Sequence, residues 1–242
     1  MKRFTIIWDF DGTILSSDPC DSEQTLMLYR VNDSRETIPF SKKVVAKAAI
    51  YADRREWLRG SFKKYYLWVL KGTKIEAVDR VSESLVKKIP KKDRQIFLKL
   101  KENGHNMFIL SCGTLDLIER VLKIAGLSDC FSMILGNRFQ LLNDRITGMN
   151  LQILNPKDKL KMVNKLDIHP EQSIVVGDGY TDLPLLDWAG IPVLIDRTGG
   201  KKKRYVKKDY YFISSISELL GIVNESSVRK QREASVKREQ SN

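Results

Sequence analysis

The sequence predicts an α/β fold in which a parallel sheet lies between two layers of helices, with a helical segment inserted after the first strand. Short apolar strand patterns, such as 4–8 and 174–176, alternate with amphipathic helix patterns, and this alternation is typical of a parallel sheet. Residues 16–88 interrupt the alternation with a pattern that is helical throughout. Hydrophobic residues make up 42% of the 242 residues and charged residues 30%, which allows a packed core and argues against general disorder.

The first strand, 4–8, is a short apolar run that leads directly into the helical segment 16–88. This segment is rich in basic and aromatic residues. Because the aromatic residues recur at helical spacing, we expect them to form the interior of the segment. They include Trp57, Tyr65 and Trp68.

Beyond residue 89 the strand and helix patterns alternate regularly, and they divide the chain into segments. We expect an α/β core from 1–15 and 89–223, a helical cap from 16–88, and a basic, disordered tail over 224–242, where large apolar residues are scarce. The patterns predict helices over 91–102, 115–124, 158–166, 181–188 and 215–222, strands over 107–110, 132–135, 174–176, 191–195 and 210–213, and a hairpin over 138–150.

The composition narrows the cellular setting and the class of partner. No apolar run has the ~18 residues of a membrane helix, and Asp9 and Asp11 cut short the apolar run of a would-be signal peptide. Three scattered cysteines fit neither a disulfide framework nor a zinc cluster, so we expect a reducing, cytoplasmic location without membrane insertion.

The chain is strongly basic, with 42 Lys and Arg against 30 Asp and Glu and a net charge of +12, which attracts anions. A basic run over 201–208 is either an anion-binding patch or a solvated loop. We favour the loop, because Tyr205 is the only aromatic residue placed for base stacking, and we therefore expect no nucleic-acid partner.

The segment Asp9-Phe10-Asp11-Gly12-Thr13 carries the strongest chemical signal. Two carboxylates two residues apart, at the end of a buried strand, point the same way if the strand continues. Such a pair repels itself by roughly 4 kcal/mol at 4 Å and a dielectric of 20, unless a cation or a proton shares the site. The pattern therefore suits a metal, a nucleophile and a general acid.

Three further segments place polar residues at the ends of strands or the starts of helices. Ser111 follows an apolar strand and leads into a helix, where a hydroxyl and free N–H groups can bind phosphate. Lys157 opens a later helix, with Lys159 and Lys161 as alternative registers. The segment 177–182, Gly-Asp-Gly-Tyr-Thr-Asp, ends a core strand with two more carboxylates.

In order and spacing these four motifs resemble the haloacid dehalogenase superfamily of phosphohydrolases, and most closely its phosphoserine-phosphatase-like branch, over residues 3–222. The resemblance implies a three-layer, Rossmann-like core with an inserted helical cap. The chain departs from the branch at Thr181, where Asn is usual, and at Asp18, where a longer Glu binds the substrate amino group.

The resemblance also implies a mechanism, in which Asp9 attacks phosphorus and forms an aspartyl-phosphate while Asp11 acts as general acid and then as general base. Mg²⁺ is expected as cofactor, held by the Asp9 carboxylate, the Asp11 backbone carbonyl and the Asp178 carboxylate. The remaining implied roles are phosphate binding by Ser111, Cys112 and Lys157, orientation of the metal site by Asp182 and Thr181, and substrate choice by Asp18 and Arg59.

We therefore expect a Mg²⁺-dependent phosphatase acting on a small phosphorylated metabolite. A phosphotransferase of the same superfamily, and a non-catalytic protein that binds anions or nucleic acid, stay open as alternatives. Dehalogenase activity is disfavoured because dehalogenases typically lack the second aspartate of the first motif, whereas this chain has Asp11 there. Cys112 is not expected to be a nucleophile, since no arginine-bearing phosphate loop accompanies it.

Overall fold

A seven-stranded sheet forms the centre of the computed structural model, which describes residues 3–33, 37–58, 60–205 and 208–226. The strand order is β4-β3-β2-β1-β5-β6-β7, and all neighbours are parallel except the hairpin pair β3 and β4. The strands are β1 (Thr5–Trp8), β2 (Asn106–Thr114), β3 (Met133–Leu142), β4 (Arg145–Asn150), β5 (Ser173–Gly177), β6 (Ile191–Ile195) and β7 (Tyr211–Ile213).

Helices cover both faces of this sheet, as the sequence predicts. Alternate residues of β1 point to opposite faces, with Trp8 packed on Phe97 on one side and Ile7 in the cluster of Val163 and Leu185 on the other. The α/β prediction is therefore confirmed. The helices are α1 (Ser22–Asn32), α2 (Phe40–Arg54), α3 (Phe62–Leu70), α4 (Glu76–Leu85), α5 (Lys91–Glu102), α6 (Leu115–Ala125), α7 (Pro156–Lys165), α8 (Leu183–Trp188), α9 (Lys201–Arg204) and α10 (219–226).

The register of the three central strands brings their carboxyl ends to one edge. Trp8 of β1 pairs with Ile109 of β2 and with Val176 of β5. The residues that follow these positions therefore emerge side by side, and in open parallel sheets this edge is where ligands bind.

The helical insertion, residues 16–88, lies between β1 and β2 in sequence and contributes α1 to α4. Its helix α4 packs against α6. Backbone hydrogen bonds also join it to the β3–β4 hairpin: Gly72 N–H donates to the Ile146 carbonyl at 2.8 Å, Ile146 N–H to Thr73 at 2.9 Å, and Ile75 N–H to Asp144 at 2.8 Å. A second link is the ion pair between Glu56 and Arg204 of α9, at 3.2 Å.

The prediction that the aromatic residues of this insertion form its interior is wrong for three of them. Trp57, Tyr65 and Trp68 are 66%, 40% and 46% exposed, whereas Phe62 and Tyr66 are buried. For Tyr65 and Trp68 the reason is helical phase, because Phe62 and Tyr66 are four residues apart and share the inward face of α3. Trp57 lies in the turn after α2 and not in a helix.

None of the helices in the described part of the chain combines the length and the apolar surface needed to cross a membrane. Helix α10 continues to residue 226, into the segment predicted to be a disordered tail. Residues 227–242 lie outside the described residues.

Candidate active site

The carboxyl-end edge of the sheet and the helical insertion together enclose a cleft of about 230 Å³. Its lining combines residues from the ends of β1, β2 and β5 with residues of the insertion. Most of the predicted site residues are among them, so the structure brings the separate motifs together. The lining residues are Asp9, Asp11, Asp21, Glu23, Asp53, Gly60, Phe62, Lys63, Ser111, Cys112, Gly113, Leu154, Asp178 and Thr181.

Asp9 follows β1 and is held by an ion pair with a fully buried lysine. Lys159 Nζ lies 2.7 Å from Asp9 Oδ1 and 2.6 Å from Asp182 Oδ1, and its side chain is 0% exposed. The Asp9 N–H donates to the Val176 carbonyl at 3.0 Å, which continues the sheet by one residue. One ammonium group therefore fixes two of the three carboxylates that meet at this point.

The choice of Lys157 as the site lysine is wrong; Lys159, one of the alternative registers, occupies that position. Lys157 is exposed, because Asn155 caps α7 and accepts its backbone N–H at 3.0 Å, which fixes the start and phase of the helix. Two residues correspond to about 200° around a helix, so Lys157 and Lys159 point in opposite directions. Lys159 lies four residues before the buried Val163 and shares its face.

Asp178 and Asp182 belong to the turn that follows β5, and Asp182 organises that turn. Its Oδ2 accepts the backbone N–H groups of Asp178 at 3.0 Å and Gly179 at 3.3 Å, while its Oδ1 accepts from Lys159. Both oxygens of Asp182 are thus engaged, and its side chain orients Asp178. Thr181 lies in the same turn and lines the cleft.

Three carboxylates at the base of this cleft, those of Asp9, Asp178 and the buried Asp182, fit a divalent metal ion. One oxygen atom from each of Asp9, Asp178 and Asp182 can be chosen such that all lie within 4.8 Å of one another. Carboxylate oxygens are the hard donors that Mg²⁺ prefers. Asp182 already accepts two kinds of hydrogen bond, so Asp9 and Asp178 are the carboxylates best placed to coordinate.

Gly12 leaves room for Asp178 at this point. Its φ angle is +81°, in the left-handed region, and a Cβ atom added there would fall 2.3 Å from Asp178 Oδ2. Two features therefore require glycine at position 12: the backbone conformation and the close approach of the carboxylate.

Asp11 is held by the first residue of α1, a contact that sequence reasoning missed. Ser22 donates its N–H to Asp11 Oδ1 and its hydroxyl to Asp11 Oδ2, both at 2.8 Å. Burial raises the pKa of Asp11 to about 6, and the two bonds from Ser22 oppose the rise. A carboxyl group with such a pKa can both donate and accept a proton near neutral pH.

The neighbouring pair Asp9 and Lys159 has a different electrostatic setting. Burial raises the pKa of Asp9 well above its ordinary value; the charges of Asp182 and Asp178 add to the rise, and the Lys159 ammonium opposes it. Burial lowers the pKa of Lys159, but Asp182 and Asp9 outweigh it and hold that pKa well above the usual range. The proton of the pair therefore stays on Lys159.

Ser111 and Cys112 line the cleft from the end of β2. Ser111 is 2% exposed, and its Oγ accepts the Gly113 N–H at 3.0 Å. Burial raises the pKa of the Cys112 thiol to about 11, so this thiol stays protonated near neutral pH. That is consistent with the expectation that Cys112 is not a nucleophile.

The insertion contributes a second group of charged residues that sequence reasoning did not identify. Glu23 is 5% exposed, forms an ion pair with Lys63 and accepts from Thr114 Oγ1 at 2.5 Å. Asp53 accepts from Gln24 Nε2 at 2.9 Å. No sequence pattern marks these residues, because their approach to the cleft depends on how the insertion packs.

Of the two residues that the sequence assigned to substrate choice, the structure describes Asp18. Asp18 is exposed and is not among the residues that line the cleft, so this geometry does not support its assignment; Asp21 and Glu23 of the following turn and helix face the cleft. Arg59 lies outside the described residues.

The chain is similar to known hydrolases in sequence. The haloacid dehalogenase-like hydrolase family matches residues 5–190. A phosphoserine phosphatase from Archaeoglobus fulgidus is 27% identical over 130 residues, or 52% of this chain and 36% of the relative, so the match spans about a third of that protein. A phosphoglycolate phosphatase from Psychrobacter arcticus is 21% identical over 191 residues, covering 76% of this chain and 78% of the relative.

The fold is also shared with solved structures. A substrate-bound phosphoserine phosphatase complex superposes with a TM-score of 0.69 at 17% identity, covering 92% of this chain and 99% of that chain. The resemblance inferred from the motifs is confirmed, because the family match includes the segments of Asp9, Ser111, Lys159 and Asp178. The chain belongs to the haloacid dehalogenase-like hydrolase family.

Proposed function

We propose that the chain is a Mg²⁺-dependent phosphomonoesterase that hydrolyses a small phosphorylated metabolite through an aspartyl-phosphate. One observation carries the proposal: two aspartates in one cleft differ in their electrostatic surroundings. Asp9 is ion-paired to a buried lysine at 2.7 Å, and Asp11 has a pKa of about 6. The first setting suits an ionised nucleophile and the second a proton carrier.

In the first step, an Asp9 oxygen attacks phosphorus and the bond between phosphorus and the leaving oxygen breaks. Protonated Asp11 gives its proton to that oxygen, so the product is a neutral alcohol and Asp11 becomes a carboxylate. Lys159 offsets the negative charge shared by Asp9 and the phosphoryl group. Ser111 and the backbone N–H groups that follow it at the end of β2 bind phosphoryl oxygens.

In the second step, Asp11 removes a proton from water while the water oxygen attacks phosphorus. The bond between phosphorus and Asp9 breaks, inorganic phosphate leaves, and Asp9 and protonated Asp11 are regenerated. Because Asp11 gains and loses one proton in each cycle, a pKa near the working pH is suited to both steps.

A divalent cation would be held by the carboxylates of Asp9 and Asp178 and by the Asp11 backbone carbonyl. When bound, it supplies positive charge that offsets the charge developing on the transferred phosphoryl group. Asp182 positions Asp178 through the two N–H groups that it accepts.

The charges that face the cleft from the insertion favour a substrate whose alcohol part carries a cationic group. Asp21, Glu23 and Asp53 line this side, with Lys63 ion-paired to Glu23. The two relatives named above act on phosphoserine and phosphoglycolate, which share a phosphate ester on a small organic acid. We infer that the phosphate ester is the common requirement and that Asp21, Glu23 and Asp53 add a preference for an amino group.

Release of phosphate from nitrophenyl phosphate tests this proposal. Purified protein should turn over the ester, lose activity in excess chelator and regain it with Mg²⁺, whereas Asp9→Asn should abolish turnover and stay folded. Lys157→Met is the matched control for Lys159→Met, since only Lys159 contacts Asp9. Full activity in chelator, or wild-type turnover by the Asp9 variant, would overturn the proposal.

A further inference from the structure

The basic run that follows β6 reaches the candidate metal site through one lysine. Lys201, the first residue of α9, places its Nζ 2.6 Å from Asp178 Oδ2. Its side chain is 30% exposed, and Asp178 is 21% exposed. The neighbouring Lys202 is exposed, and its backbone N–H contacts Asp196. The Lys201 side chain therefore contacts the candidate metal site, whereas the Lys202 side chain is exposed.

The backbone of this segment is fixed by a buried aspartate. Asp196 follows β6, is 6% exposed, and accepts the Lys202 N–H at 2.8 Å and the Thr198 hydroxyl at 3.3 Å. The N–H groups of Gly199 and Lys201 also donate to it. Such a ring of bonds determines where α9 begins, and thereby directs the Lys201 side chain toward Asp178.

We propose that Lys201 is a positioning residue that sets the affinity of the site for its divalent cation; this rests on the function proposed above. Asp9, Asp178 and Asp182 bring three negative charges together, and Lys159 and Lys201 bring two positive charges. The set therefore keeps one net negative charge. A cation coordinated by Asp178 shares that carboxylate with an ammonium group, and the repulsion between the two cations weakens its binding.

Removing the Lys201 charge should therefore tighten metal binding. Lys201→Met keeps the length of the side chain and removes the charge. For a divalent and a monovalent cation about 5 Å apart, Coulomb's law in a water-like dielectric, with screening by about 0.15 M salt, gives a change of about fivefold in Kd. Lys201→Arg keeps the charge and should leave the Kd within about twofold of wild type.

Calorimetric titration of the full chain with Mg²⁺ and Mn²⁺ at neutral pH measures this directly, without reference to turnover. Lys202→Met is the matched control, and it should bind as wild type does. Asp196→Ala, which releases the start of α9, should shift the Kd in the same direction as Lys201→Met but by less. The melting temperature of each variant checks that it is folded.

The outcomes separate the two proposals. If wild type and all variants fail to bind either ion, the metal-dependent function itself is wrong. If wild type binds but folded Lys201→Met binds equally or more weakly, the function stands and the role of Lys201 is refuted. An equal tightening in Lys202→Met would also refute it, because the effect would then come from the net charge of the run.

Discussion

Ser22 donates two hydrogen bonds to Asp11, one from its backbone and one from its hydroxyl, each at 2.8 Å. Ser22 begins α1, the first helix of the insertion, and Asp11 follows the first strand of the core. The carboxylate that we assign as acid and base is therefore held by the element that covers the cleft. A shift of the start of α1 would change the hydrogen bonding of Asp11.

Replacing Ser22 by alanine should shift the pH profile toward higher pH. The hydroxyl stabilises the ionised form of Asp11, so its loss raises the pKa of this carboxyl group above about 6. Attack on an alkyl phosphate needs protonated Asp11. The fall of kcat/KM with rising pH should therefore occur at higher pH than in wild type. Titration of the substrate phosphate is common to both enzymes and cancels in the comparison. If kcat/KM falls at the same pH as in wild type, or if Ser16→Ala shifts that pH equally, the prediction is contradicted.

Replacing Asp11 by asparagine should separate the two chemical steps. Nitrophenolate leaves without a proton, so Asp9 can still attack nitrophenyl phosphate, while water activation is lost. We expect a burst of about one nitrophenol per enzyme, followed by slow turnover. An alkyl phosphate should give almost no burst, because its alkoxide needs a proton. Identical burst-free kinetics for both esters would show that Asp11 acts through placement of the metal or the substrate.

The ion pair between Glu23 and Lys63 should control the preference for charged substrates. Lys63→Met leaves Glu23 without its ion-pair partner, so kcat/KM for phosphoethanolamine should rise about fivefold relative to glycerol phosphate, whose alcohol part is uncharged. Glu23→Gln should move the same ratio in the opposite direction. Lys64→Met and Asp18→Asn, both at exposed positions, are the controls. Equal changes on both substrates would mean that the pair only supports the fold.

Replacing Gly12 by alanine should damage the metal site more than the fold. Both Gly12 and Gly126 have positive φ, of +81° and +71°, so alanine costs about 1 kcal/mol of backbone strain at either position. A Cβ at Gly12 also falls 2.3 Å from Asp178 Oδ2, whereas nothing lies within 4 Å of one at Gly126. We expect weaker Mg²⁺ binding, measured by calorimetry, in Gly12→Ala alone. Equal losses in both variants would mean that strain, and not Asp178, is responsible.

The sequence predicts the sheet and the meeting of its motifs because both follow from local rules. Apolar runs of strand length mark β1, β2 and β5, and parallel strands bring their carboxyl ends to one edge, where Asp9, Ser111 and Asp178 lie together. These placements need no knowledge of side-chain packing.

Local rules do not predict which lysine of α7 enters the site or which charged residues of the insertion line the cleft. Lys157, Lys159 and Lys161 alternate along α7, and only the cap at Asn155 and the buried Val163 determine which lysine points inward. The position of the charged residues that the insertion contributes to the cleft depends on tertiary packing between helices that are distant in sequence. Glu23 and Lys63 are 40 residues apart, and no periodicity relates them.

The backbone hydrogen bonds that join Gly72, Thr73 and Ile75 to the hairpin have a consequence for exchanging segments between related proteins. They involve only main-chain atoms, so their pattern depends on the path of the hairpin and hardly on which side chains it carries. A chimera that receives a foreign insertion but keeps its own hairpin would have to match those donors and acceptors by chance. Transplanting residues 138–150 together with 16–88 keeps these hydrogen bonds, and the graft then has to match the host where α4 packs against α6 and where Ser22 contacts Asp11.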